Sequence, residues 1–67
     1  MDILLNNRKE QIEKDSITIR ELLDYKNFTF KMLVVKINGN LIKKGQYEDA
    51  KVKDNDNVTV LHLVSGG

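Results

Sequence analysis

The groups in this chain that can do chemistry are few, and their types are restrictive. There is no cysteine and one histidine, His62. Without cysteine there is no thiolate nucleophile, no disulfide and no thiolate metal ligand. His62 has no Ser, Cys or Asp arrangement around it in the sequence and cannot hold zinc alone. It is therefore expected to be a structural or surface residue. Asp54 and Asp56 are closely spaced acids, but the glycine and terminal glutamate of a calcium loop are missing, so a turn is the better account. What remains is the end of the chain, Gly66-Gly67. Its backbone carboxylate is ionised at neutral pH, with an ordinary pKa of ~3.3–3.7. Fully extended, Ser65-Gly66-Gly67 spans roughly 10 Å. Glycine has no Cβ, so such a tail can enter a channel that any side chain would block. The plain alternative is a frayed end, since termini are commonly disordered and glycine is flexible.

A carboxylate is a poor electrophile and must be activated before acyl chemistry. As a mixed anhydride with AMP it can be attacked by a sulfur donor, which displaces AMP and leaves a thiocarboxylate. The thiocarboxylate is a much better nucleophile than the carboxylate. None of these steps needs a side chain from the protein that owns the tail.

Length and composition agree with a chain that brings little machinery of its own. Its 67 residues are enough for one domain, 1–67, with a flexible tail at 65–67. A domain of this size buries only ~60% of the surface of its unfolded chain. Few residues are then left for a catalytic pocket. The net charge is +1, with lysines and acids scattered throughout, unlike the basic stripe of a nucleic-acid binder. Lys43-Lys44, Lys51 and Lys53 make the second half somewhat basic; a solvated surface is preferred over an electrostatic contact with an acidic partner. No apolar run approaches the roughly 18 residues of a membrane span. The opening Met1-Asp2-Ile3-Leu4-Leu5 lacks the pattern of a signal peptide. A cytoplasmic, monomeric protein without a bound cofactor or metal is the expectation.

The elements that must position the tail can be read in order. Ile3-Leu4-Leu5, the turn Asn6-Asn7 and an extended piece over about Glu10–Lys14 form a β-hairpin, anchored by Ile12. Thr18 caps a helix, with Glu21 completing a capping box and Ile17 and Leu22 forming a hydrophobic staple. Ile19, Leu22 and Leu23 give the apolar stripe of a helix over about Ile19–Lys26, with Asn27 as its stop. At least one of Phe28 and Phe30 packs under the sheet. Leu33–Ile37 is a strand with Leu33, Val35 and Ile37 on one face. Asn38-Gly39 is a strong hairpin turn, and Leu41-Ile42 begins the return strand. Lys43–Lys53 is polar and irregular, with Tyr47, Ala50 and Val52 as buried anchors. After an Asp54-Asn55-Asp56 turn, Val58–Val64 is the final strand. Two hairpins around one helix pack most economically as an α+β layer fold, a mixed sheet of about four to five strands with the helix across one face. That is the β-grasp, or ubiquitin-like, architecture.

At full length the chain resembles the ThiS/MoaD family of ubiquitin-like sulfur carriers, and within it the short ThiS type. The residues carrying the resemblance are Ile3-Leu4-Leu5-Asn6, Thr18-Ile19-Arg20-Glu21-Leu22-Leu23, Val34-Val35-Lys36-Ile37-Asn38-Gly39, and Asp56-Asn57-Val58 leading to Val64-Ser65-Gly66-Gly67. Two segments depart from the common pattern. Asp54-Asn55-Asp56 stands where many relatives have Asp-Gly-Asp, and asparagine tolerates the same left-handed geometry. Leu41-Ile42-Lys43-Lys44 stands where Val-Pro-Arg is common, which alters the local loop.

The resemblance implies a carrier and not an enzyme. A ThiF-like enzyme, using its own ATP and magnesium, would adenylate the Gly67 carboxylate. Sulfur ultimately from cysteine would convert it to a thiocarboxylate, and a ThiG-like thiazole synthase would receive that sulfur for the thiazole of thiamine. Gly66 would supply steric access. A MoaD-like carrier for molybdopterin synthesis, a protein modifier attached through Gly67, and a plain ubiquitin-like interaction module stand as alternatives. In the final strand, Val58, Val60, His62 and Val64 share one face and Thr59, Leu61 and Leu63 the other. Because one helix covers one face only, Leu61 and Leu63 are expected in an exposed patch that docks partners, with Val64 and Ser65 completing the contact. Burial of both faces of a central strand is the competing expectation.

Overall fold

The computed structural model describes residues 1–29 and 32–62. Within them the order is β1 (Asp2–Leu5), β2 (Arg8–Gln11), β3 (Ser16–Thr18), α1 (Ile19–Tyr25), β4 (Leu33–Ile37), β5 (Asn40–Ile42), a short 3-10 turn (Lys44–Gln46), β6 (Lys51–Lys53) and β7 (Asn57–His62). The described strands form a five-stranded mixed sheet in the order β2-β1-β7-β4-β5 and a two-stranded sheet of β3 and β6. The pairing of β1 with β7 is parallel, and the other pairings are antiparallel.

Asparagine sets the turns. Asn6 and Asn7 have φ of 52° and 66°, the left-handed pair that a two-residue hairpin needs. Leu5 stands opposite Arg8 in the register, so β2 begins directly after the turn. The second strand therefore lies earlier than the Glu10–Lys14 read from the sequence. Its residues Arg8-Lys9-Glu10-Gln11 carry no apolar alternation, being an exposed edge. Ile12, just past the strand, is buried as expected. Asn38 and Gly39 take φ of 51° and 83° between β4 and β5. Asn55 takes φ of 69°, the geometry expected where relatives carry glycine.

The helix entry is built as its sequence requires. Thr18 Oγ1 accepts from Glu21 N–H at 3.1 Å, and Glu21 Oε1 accepts from Thr18 N–H at 2.9 Å. Such a cap contributes ~1 kcal/mol. The Glu21 carboxyl is held below its ordinary pKa of 4.5, chiefly by the Thr18 N–H and then the Thr18 hydroxyl, with Lys14 and Lys51 adding attraction. The first helical N–H groups lack intrahelical partners; Ile19 donates to the Ala50 carbonyl and Arg20 to the Tyr47 carbonyl, each at 2.9 Å. The helix ends at Tyr25 with Lys26 as its C-cap, followed by Asn27 at φ 56°.

Those bonds explain a segment that the sequence pattern did not resolve. Lys43–Lys53 holds a 3-10 turn and strand β6, not irregular chain alone. Ile17 stands opposite Val52 across the β3–β6 pair, and both are buried. Three-residue strands are too short to display alternation, and their partners lie far apart in the chain. Tyr47 and Val52 are buried, and Ala50 packs against the core.

One buried cluster unites Ile3 and Leu5 of β1, Val35 of β4, Val58 and Val60 of β7, and Ile19, Leu22 and Leu23 of α1. Phe28, Leu33, Ile37 and Ile42 pack against it. Burying a side chain such as Leu22 stabilises the fold by ~1.5–3 kcal/mol.

Candidate functional site

Strand β7 carries the chain toward Gly67 and occupies the middle of the large sheet, between β1 and β4. Leu4 and Leu5 align with Asn57 and Val58. On the other side, Leu33 through Ile37 pair with His62 back to Val58. The part of β7 nearest the tail is held by a side chain. Beyond Leu5 the backbone of β1 turns away, and the Asn6 carboxamide takes over its ladder. Asn6 Oδ1 accepts from Val60 N–H at 2.8 Å, and Asn6 Nδ2 donates to the Val60 carbonyl at 3.1 Å. The root of the tail is thus fixed from both sides. Sequence reading found the turn at Asn6 but not this clamp; a left-handed asparagine at a strand end beside a central strand was the available signal.

The start of β7 is fixed equally well. Asn38 Oδ1 accepts from Asn57 N–H at 2.9 Å, and Asn38 Nδ2 donates to Asp56 Oδ1 at 3.0 Å. Asp56 Oδ2 accepts from Lys53 N–H at 2.8 Å, and Asp54 Oδ1 accepts from Asp2 N–H at 2.7 Å. The two acids are turn acceptors, as the spacing argued. Among the described residues no group of three or more His, Cys, Asp or Glu is placed to hold a metal.

The faces of β7 divide as alternation predicts. Val58 and Val60 enter the core. Thr59 is half-buried, and Leu61 is 52% exposed on the opposite face. Val34, half-buried, stands opposite Leu61, while Lys36 stands opposite both Thr59 and Leu41. Leu41 is itself exposed. The outer face therefore carries Leu61, Val34 and Leu41 around Lys36, a small apolar area with a cation in it. The sequence reading named Leu61 and missed Val34 and Leu41, which join that face through the pairing of β4 with β7 and β5. His62 is exposed. Leu63, Val64, Ser65, Gly66 and Gly67 lie outside the described residues. No helix among the described residues is long and apolar enough to cross a membrane.

The arrangement offers a firmly rooted strand and an apolar face beside it. Comparison with known proteins gives it a context. Residues 3–67 match the model of the ThiS family. The chain is 32% identical over 63 residues to the sulfur carrier protein ThiS of Bacillus subtilis (strain 168), covering 94% of this chain and 96% of that protein. It is 28% identical over 61 residues to the uncharacterized protein ycf40 of Trieres chinensis, covering 91% of this chain and 84% of that one. Among solved structures, the crystal structure of the thiamine biosynthesis protein ThiS from Geobacter metallireducens superposes with a TM-score of 0.89 at 25% identity over the whole of both chains. A solution structure of a thiamine biosynthesis protein from the same organism gives 0.80 at 25% identity, covering 100% of this chain and 88% of that one.

Proposed function

The chain belongs to the ThiS family, and we propose that its working group is the C-terminal carboxylate of Gly67, which carries sulfur as a thiocarboxylate. The role that goes with the family is that of a sulfur carrier in thiamine biosynthesis. The observation that supports the reading best is the extent of the match, which runs along the β-grasp fold and through Gly66 and Gly67.

The chemistry divides between the carrier and its enzymes. A ThiF-like enzyme, with its own ATP and magnesium, brings the α-phosphate of ATP to the Gly67 carboxylate. A carboxylate oxygen attacks phosphorus, pyrophosphate leaves and an acyl adenylate forms. Hydrosulfide supplied by the sulfur donor attacks the acyl carbon, expels AMP and loses its proton, and the product is the thiocarboxylate. A ThiG-like thiazole synthase then takes the sulfur for the thiazole. The chain supplies a carboxylate, the narrow Gly66-Gly67 approach to it and a fold that both enzymes grip. Leu61 on the outer face is gripped by them, together with the residues that follow it in the sequence, Leu63, Val64 and Ser65. The carrier is a co-substrate in the cytoplasm, binds no cofactor itself and is a monomer between encounters.

The test is intact mass. The protein, ATP with magnesium, a sulfur source and the activating enzyme are incubated together. A mass gain equal to one exchange of oxygen for sulfur is expected. The variant lacking Gly67 should fold with an unchanged Tm and show no exchange. No exchange in the full chain, with an enzyme shown to be active on its own carrier, refutes the reading and leaves a plain interaction module.

A further inference from the structure

At the corner where β4 begins and β5 ends, a cleft of about 560 Å³ opens between the sheet and α1. Phe28, Met32 and Leu41 present apolar surface to it, and Met32 and Leu41 are 51% and 57% exposed. Its rim carries Arg20, Lys43 and Lys44. No aspartate or glutamate among the described residues lines it. The ion pairs formed among the described residues join Lys14 to Glu21 and Lys26 to Glu10, and so leave the rim cations without an acidic partner there. Arg20 lies over the Tyr47 ring, 5.8 Å from its centroid, which orients the guanidinium without neutralising it. Three cations around an apolar cleft, on a chain of net charge +1, form a local concentration of charge that the whole molecule lacks.

The position of the cleft says what uses it. Leu33 lines it and stands opposite His62, the last described residue of β7. Val34 and Leu41 line it as well and belong to the outer face beside Leu61. The cleft thus continues the apolar face around the sheet edge, at the end from which the chain runs on toward Gly67. We propose that it receives an acidic segment with a large apolar side chain, belonging to the enzyme that activates the carboxylate. The apolar side chain enters among Phe28, Met32 and Leu41, and flanking carboxylates meet Arg20, Lys43 and Lys44. Charge complementarity steers the encounter, and the anchor fixes the orientation of the tail. This assignment rests on the carrier reading given above.

Two measurements test it. The synthetic peptide EDLFDE and its basic counterpart KKLFKK are titrated into the isotope-labelled protein and followed by amide NMR. EDLFDE is expected to shift Met32, Leu41, Lys43 and Lys44, and KKLFKK to leave them in place. The exposed double variant K43E/K44E should weaken EDLFDE by about tenfold or more. The same variant should raise the KM of the activating enzyme for the carrier by a similar factor, with kcat kept and the Tm unchanged. Equal response to the two peptides, shifts confined to other surfaces, or an unchanged KM overturns the proposal. The wild-type mass exchange separates this failure from the other. Sulfur gained by the wild type with an indifferent K43E/K44E refutes the cleft and keeps the carrier. No sulfur gained by the wild type refutes the carrier reading and, with it, this assignment to the activating enzyme.

Discussion

Replacing Asn6 separates two roles of one residue. Its carboxamide makes two hydrogen bonds to Val60, at 2.8 and 3.1 Å, and its backbone sits at φ 52°. Each partly buried bond contributes a net ~0.5–1.5 kcal/mol. A residue with a Cβ but no local polar group pays a further ~1 kcal/mol in the left-handed region. Asn6→Gly removes the bonds and keeps the turn, so it should cost about 1–3 kcal/mol. Asn6→Ala removes the bonds and strains the turn, for a total of about 2–4 kcal/mol. Asn6→Asp keeps an acceptor for Val60 N–H but sets a carboxylate against the Val60 carbonyl, and should fall near the glycine variant. Urea denaturation followed by circular dichroism gives all three values. A domain of this length has roughly 3–10 kcal/mol in hand, so the alanine variant is expected to be measurably less stable yet folded at low temperature. Stability of Asn6→Ala within 0.5 kcal/mol of wild type refutes the clamp. Equal losses for Gly and Ala refute the strain argument alone.

Three other perturbations test separate parts of the reasoning. Leu61→Glu should raise the KM of the activating enzyme for the carrier while leaving the Tm unchanged, because Leu61 is 52% exposed; normal activation kinetics in the folded variant removes Leu61 from the docking face. Leu22→Ala, at a fully buried site, should cost ~2–5 kcal/mol by urea titration, and a loss below 1 kcal/mol would mean that the core rearranges around the gap. Folding lowers the pKa of Glu21 below 4.5, so its contribution is complete above that value and is lost as pH falls through the lower folded value; Glu21→Gln should flatten stability over that acidic window, and Thr18→Ala should cost ~1 kcal/mol at neutral pH.

Much of the architecture was legible because its strongest signals are local. The capping box needs only Thr18 and Glu21 at the right spacing, and both of its bonds form. Asn38-Gly39 needs only two residues of tolerant backbone, and both take positive φ. The β3–β6 pair was not legible, because Ser16–Thr18 and Lys51–Lys53 are short and acquire meaning only through each other. The start of β2 was misplaced for a related reason: an edge strand of polar residues has no buried face to mark its register, and the turn fixes it instead. At the candidate site, alternation assigned Val58 and Val60 to the core and Leu61 to the surface. The clamp on Val60 and the grouping of Leu61 with Val34 and Leu41 depend on which strands become neighbours, which no single strand encodes.

That strand order also suggests why a chain with so little reactive chemistry needs a fold at all. In the carrier reading proposed above, the reacting carboxylate needs no side chain from this chain, so the fold's contribution lies in presentation. The final strand is bounded by backbone ladders on both sides, the Asn6 carboxamide extends one ladder to Val60, and the Asn38–Asp56 contacts fix its start. Each constraint removes freedom from the chain before an enzyme meets it, and ordering already supplied by the free protein is not charged against binding. A partner that recognises the rooted sheet therefore receives the carboxylate within a short, restricted reach. This account makes the root and the tail separable: weakening Asn6 should raise the KM for the carrier in proportion to lost order, whereas shortening the tail by Gly67 should abolish turnover with affinity for the sheet face kept. A tail deletion that also abolished binding would show that the sheet face contributes little, and the division of labour between strand and tail would have to be abandoned.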